Sequence, residues 1–122
     1  MTYNRGDVVW IKFPFTDLTQ QKLRPALIIS NQVVNRTGDY ILVQITSKER
    51  NDVLSIRIND NNYSEAPLLV QSYLRLQKIF TLHESLLSGK QTAVTEDFIA
   101  DVVNSVNTLL SKDQEANERH GF

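Results

Sequence analysis

The chain has no cysteine among its 122 residues, which excludes a disulfide scaffold, a thiolate metal site and a cysteine nucleophile, and fits a reducing compartment. It has only two histidines, His83 at a strand end and His120 in a polar tail. A catalytic metal needs three or four converging ligands, so metal chemistry is not expected and both read as surface histidines. No Gly-rich phosphate loop, HExxH or GxSxG occurs. No apolar run approaches the length of a membrane span. The start, MTYNRGDVVWIKF, lacks the basic and long apolar regions of a secretory signal. A cytoplasmic location is the expectation.

Charge of one sign is also missing. The net charge is −1, with 41% hydrophobic and 22% charged residues, as in an ordinary soluble domain. The distribution is less even. Residues 1–90 carry 11 Lys/Arg against 8 Asp/Glu, and residues 91–122 carry 2 against 6. A mildly basic body with an acidic tail permits an anionic ligand on the body.

The length suggests one domain, residues 1–111, followed by a polar tail, 112–122, expected to fray. Gly6-Asp7 is a turn signal before Val8–Phe13, a β-branched and aromatic strand closed by Pro14. Phe15–Leu23 reads as a loop. Pro25–Ser30 and Tyr40–Thr46 are apolar enough to be central strands, separated by a turn region at Asn31–Gly38. Val53–Ile58 alternates, with Leu54, Ile56 and Ile58 on one side. Asn59–Pro67 is a polar loop. One or two strands are expected around Ser72–Thr81, then a short helical turn at Glu84–Leu87 closed by Gly89. Thr95 is placed as an N-cap, with Glu96 and Asp97 where carboxylates suit the helix dipole. Phe98, Ile99, Val102, Val103, Val106, Leu109 and Leu110 recur at helical spacing, predicting an amphipathic helix over 96–110. Consecutive strands without βαβ alternation, followed by one helix, give a mainly β (α+β) antiparallel barrel or curled sheet with a C-terminal helix packed on it.

What remains for chemistry are arginines, hydroxyls and amides at strand ends. Pro25 biases Arg24 toward extended backbone, and a guanidinium suits a phosphate through its fork. Thr46 and Ser47 put two hydroxyls where the third strand ends. Taken alone, local chemistry favours Arg24 as a surface ion pair and Thr46 as a turn cap.

The segments GDVVWIKF, RPALIIS, ILVQITS and SYLRLQKIFTL, in that order and spacing, resemble the MazF/PemK (Kid-like) toxins of bacterial type II toxin–antitoxin systems. The resemblance spans nearly the whole chain up to the terminal helix. It implies a small SH3-like antiparallel β-barrel with a C-terminal helix, assembled as a homodimer. It also implies metal-independent, sequence-specific cleavage of single-stranded messenger RNA and a cognate antitoxin protein as partner; no cofactor is called for. In the implied reaction the ribose 2′-OH attacks and leaves a 2′,3′-cyclic phosphate and a 5′-OH.

By this resemblance Arg24 and Thr46 are the catalytic pair, Arg24 on the scissile phosphate and Thr46 hydrogen-bonded to it, with Ser47 beside them. Gln20, Gln21 and Lys22 form the flap before Arg24, and Phe15 is the candidate base stacker, whereas Trp10 and Phe13 are assigned to the core. Arg75, Gln77 and Lys78 align with an R-C-D-Q segment of Kid-like members and are expected to contact RNA. The sequence departs from that segment: Gln77 stands where the family has an aspartate proposed as general base, and Thr19 where some members have a glutamate. Asp17, the carboxylate nearest Arg24 in sequence, is the remaining candidate base. Two other readings are a same-fold toxin that binds a protein such as DNA gyrase, as CcdB does, and an inactive RNA-binding relative. The C-terminal Arg119-His120-Gly121-Phe122 lacks the tryptophan expected of the former.

Overall fold

A computed structural model describes residues 2–12 and 22–113. Phe13, Pro14, Phe15, Asp17, Thr19, Gln20, Gln21 and most of the expected tail, His120 included, lie outside the described residues. Six strands form one antiparallel sheet: β1 (Asp7–Lys12), β2 (Leu23–Ile28), β3 (Asp39–Thr46), β4 (Ser55–Ile58), β5 (Ser72–His83) and β6 (Leu87–Ala93). The order across the sheet is β4-β5-β3-β2-β1-β6. Among the described residues two α-helices complete it: α1 (Gln32–Asn35), between β2 and β3, and α2 (Glu96–Leu110) at the end. The hydrogen-bonded ladder ends at β4 and β6, so the barrel is open. Among the described residues one bridge, Tyr63 to Val94, lies outside the named strands.

The strands written as near-continuous apolar runs are buried on both faces, the pattern such runs call for. Val8, Leu27, Val43 and Ile45 point to one core, which α2 covers with Phe98, Ile99, Val102 and Val106. Their neighbours in sequence, Val9, Ala26, Ile28 and Leu42, point to a second core with Tyr3 and Tyr40. The period of two along each strand thus feeds two hydrophobic clusters from a single sheet. Ile99 and Val102 are fully buried. The Thr95 side chain accepts the Phe98 N–H at 3.1 Å, satisfying a donor the first helical turn leaves open. Gly6 has φ +97°, and its backbone joins two strands: its N–H donates to the Ile28 carbonyl and its carbonyl accepts from Val94.

The structure revises several expectations. Strand β6, LSGKQTA, was not anticipated, because Ser88, Gly89, Lys90 and Gln91 carry little strand propensity. It forms because β1 needs a partner on its free edge, and register shifts near Val8 and Trp10 accommodate it. Gly89 lies inside this strand at φ +133°, instead of closing the preceding turn, which is a 3-10 turn over Glu84–Leu86. A short helix, α1, occupies the expected turn after β2; the Asn31 side chain caps it by accepting the Val33 N–H. Leu109 and Leu110 were counted on the apolar face of α2 but are exposed, beyond Val106, the last buried residue of the helix. Leu23 and Arg24, read as the end of a loop, belong to β2, where they pair with Lys12 and Ile11.

Candidate active site

The cleft starts from Pro25. In β2, odd-numbered residues turn their backbone groups toward β3, as Ile29 N–H donates to Ile41 O. Even-numbered residues face β1, as Ile28 O accepts from Gly6 N. Pro25 is odd and has no N–H. The β2–β3 ladder accordingly begins only at Ala26–Gln44. Continuing its register would set Pro25 opposite Ile45 and Arg24 opposite Thr46, but there the seam is open. Arg24 stays held on its other side, by β1. One proline therefore both immobilises the arginine and parts the two strands beside it.

A cleft of about 400 Å³ occupies this end of the seam, with Arg24, Pro25, Ile45, Thr46 and Ser47 along it. Leu68, Leu69, Val70, Ser72, Trp10 and Gln91 also line it. Trp10 was expected in the core. It is only partly buried: Val8, two residues earlier on the same face, reaches the first core, but Trp10 pairs with Pro25 beside the opened seam, and its indole N–H donates to the Gln91 side chain. The Thr46 hydroxyl oxygen accepts the Lys48 N–H at 3.1 Å. This is the turn-capping role, and it is compatible with the phosphate role: an oxygen fixed as acceptor can still donate its proton outward. Ser47 and Arg24 are exposed at the rim.

On the other side of Arg24 lies a second depression of about 490 Å³, bordered by Gln44, Arg50, Gln77, Lys78, Ile79 and Phe80 as well as Arg24. It owes its shape to a bulge in β5. Val43 pairs with Ile79 and Gln44 with Arg75, so Leu76, Gln77 and Lys78 have no partners on β3. Leu76 turns inward and is buried, its N–H bonded to Leu54 O, while Gln77 and Lys78 are exposed.

Arg75 departs from its expected role. It is 7% exposed, and its guanidinium forks onto Asp52, Nη1 to Oδ1 at 2.9 Å and Nη2 to Oδ2 at 3.2 Å. Hydrogen bonding from Arg75 is the main cause holding the Asp52 carboxyl below its ordinary range. The fork anchors the connection between β3 and β4, which carries Arg50, against the root of the bulge. A guanidinium so buried and so paired is a brace. Lys22 is exposed one residue before β2 and borders neither depression.

The structure thus brings Arg24, Thr46 and Ser47 to one cleft and Gln77 and Lys78 to the adjoining depression. Asp17, Phe15, Gln20 and Gln21 lie outside the described residues. Trp10, Gln91, Gln44 and Arg50 were not singled out as site residues. For Trp10 the pattern gave no signal, since a period-two reading places it on the face of Val8, which is buried in the first core. For Gln44 and Arg50 nothing in the sequence announces the bulge that gathers them. Among the described residues, no three His, Asp or Glu side chains cluster as metal ligands would, and no helix is long and apolar enough to cross a membrane.

An antiparallel sheet with a C-terminal helix and a basic, hydroxyl-bearing cleft at an opened strand seam defines the class. The family model for the PemK-like, MazF-like toxin of type II toxin–antitoxin systems matches residues 4–110, and the chain belongs to that family. An endoribonuclease solved with its cognate antitoxin from a mycobacterial species superposes with a TM-score of 0.72 at 22% identity, over 93% of this chain and 99% of that one. A MazE–MazF structure from Deinococcus radiodurans gives 0.74 at 19%, over 93% and 100%. The Mycobacterium tuberculosis toxin MazF-mt6 gives 0.68 at 15%, over 88% and 99%. At such identities the likeness carries the fold. No curated protein matches the sequence.

Proposed function

We propose that this chain is the toxin of a type II toxin–antitoxin pair and a metal-independent endoribonuclease that cleaves single-stranded RNA. The observation that carries the reading is that Arg24 and Thr46 border one cleft at the β2–β3 seam that Pro25 opens. In this reaction the substrate brings its own nucleophile. The 2′-oxygen forms a bond to the adjacent phosphorus as the bond to O5′ breaks; the proton leaves the 2′-OH and another is delivered to O5′. The products are a 2′,3′-cyclic phosphate and a 5′-OH. The protein has to position the phosphodiester, stabilise the negative charge that grows on its equatorial oxygens and move two protons.

Arg24 is suited to the charge, since its guanidinium stays protonated at any working pH. Thr46 donates its hydroxyl proton to an equatorial oxygen while Lys48 N–H keeps its oxygen in place. Among the described residues bordering the two depressions there is no carboxylate and no imidazole. The chain's own candidate for the base is Asp17, the one carboxylate in the segment 13–21 that leads to Arg24. Gln20 and Gln21 of that segment, with Lys22 after it, are assigned to the flap and Phe15 to base stacking.

An antitoxin segment would cover the cleft by laying apolar side chains on Leu23, Leu69 and Val70, which are exposed beside Arg24. A homodimer is the working assembly we propose. The test is incubation of an unstructured RNA with the protein in EDTA, with both ends of each product mapped. Fragments ending in a cyclic phosphate, and lost in Arg24→Ala, support the reading. RNA bound but left intact by the wild type would refute it in favour of an RNA-binding relative.

A further inference from the structure

The second depression has features that phosphate chemistry alone does not require. Five described residues are glutamines. Gln32 donates to Asn4, Gln71 accepts from Arg57 and donates to Ile58 O, and Gln91 accepts from Trp10. The two whose amides form no hydrogen bond among the described residues are Gln44 and Gln77, and both border this depression. They reach it from different elements: Gln44 from β3, at the last residue before the β5 register breaks, and Gln77 from the bulge itself. Ile79 and Phe80 give the depression an apolar side, and Arg24, Arg50 and Lys78 give it cations.

From this we propose that the depression between Gln44 and the β5 bulge is a nucleobase subsite, and that Gln44 and Gln77 set which base is accepted next to the scissile phosphate. The inference rests on the proposed RNA cleavage, because Arg24, shared by both depressions, ties the subsite to the cut. The chemistry follows from the groups present. A primary amide offers a donor beside an acceptor and so reads one edge of an unstacked base in a bidentate fashion. Single-stranded RNA is recognised in this way, by splayed bases on apolar or aromatic surfaces with their edges hydrogen-bonded. Lys78 and Arg50 are placed to hold the flanking phosphates, which adds affinity without sequence preference. The Arg75–Asp52 fork keeps the walls of the subsite in register, since it joins the foot of the bulge to the connection carrying Arg50.

Two readouts test this. The first is binding of uncleavable 2′-deoxy hexanucleotides, varied one position at a time through all bases, by fluorescence anisotropy. The wild type should discriminate at one position by about 5- to 100-fold, the range expected of one bidentate amide contact. Gln44→Ala and Gln77→Ala should each flatten the preference at that position, while Lys78→Ala should weaken all sequences alike. The second is sequencing of the ends cut from a random-sequence RNA pool, where the same position should relax in both glutamine variants. Unchanged discrimination in both variants, or a wild type with no base preference at any position, would overturn the subsite. Base-selective binding without any cleavage would keep the subsite and sink the nuclease reading.

Discussion

Replacing Arg24 separates a catalytic cation from a structural one more cleanly than any other substitution in this chain. Its side chain is exposed at the divide between the two depressions, while its backbone is held in β2 against Ile11. Arg24 belongs to neither buried cluster, so truncation to alanine leaves the core intact and should cost at most about 1 kcal/mol. The catalytic cost should be large. A preorganised donor aimed at developing charge is worth roughly 10²- to 10³-fold in kcat, about 3–4 kcal/mol. Arg24→Lys keeps the charge but loses the fork that fits two phosphate oxygens; with one charge-assisted hydrogen bond lost, it should fall roughly 10-fold.

Thr46→Ser keeps the hydroxyl and should stay within a few-fold of wild type. Thr46→Val, close in shape, removes one hydrogen bond to a charged phosphate oxygen and should cost roughly 10- to 100-fold, about 1.5–3 kcal/mol. The assay is single-turnover cleavage of a fluorescent oligoribonucleotide, run beside thermal unfolding of each variant. A drop smaller than about 5-fold for Arg24→Ala would refute the assigned role. So would a loss of activity that tracks a falling Tm, since that would make Arg24 a folding residue.

Further predictions rest on other parts of the same structure. The Arg75–Asp52 fork is asymmetric, with side chains 9% and 42% exposed. Arg75→Met should therefore be tolerated better in urea unfolding than Asp52→Asn, which strands a buried guanidinium; the reverse order would show that the fork is not a brace. Because the folded Asp52 carboxyl is held low, its contribution to stability is fully present above about pH 4 and is lost as pH falls through the folded value; the pH dependence of Tm should flatten there in Asp52→Asn. Ile99→Ala empties a fully buried site under α2 and should cost about 2–5 kcal/mol by denaturant unfolding. Trp10 is the chain's one tryptophan and borders the cleft, so an uncleavable oligonucleotide should perturb the intrinsic fluorescence, and Arg24→Ala should shift that titration to higher concentration.

How far the sequence disclosed this molecule differs from element to element. The helix over 96–110 was legible to its ends because three local signals agree: Thr95 as cap, carboxylates in the first turn, and apolar residues at helical spacing. Strands β1, β2 and β3 were legible because both of their faces are buried, which writes them as apolar runs. Strand β6 was not, since its pairing is supplied by the edge of β1 and its own residues favour no strand. Arg24 and Thr46 could be singled out from their strand-end positions and the resemblance, but their opposition across one seam needed the β2–β3 register. Arg75 misled for a related reason: a sequence aligns an arginine but does not show that Asp52, 23 residues earlier, has taken it.

Pro25 shows how a backbone constraint can become a functional one. A proline in a central strand ordinarily argues against the strand, because it deletes a ladder bond. In β2 the deleted bond is the one toward β3 next to the strand's start, and the bonds toward β1 survive. The loss is confined to one side, so the chain keeps Arg24 in a fixed, extended position while the adjacent seam parts and Ile45, Thr46 and Ser47 border an opening instead of continuing a ladder. In the proposed reaction residues 24 and 25 therefore work as a unit: the arginine supplies charge, and the proline supplies both its rigidity and the gap into which it would act. A lysine or an arginine elsewhere on this mildly basic surface would carry the same charge without either.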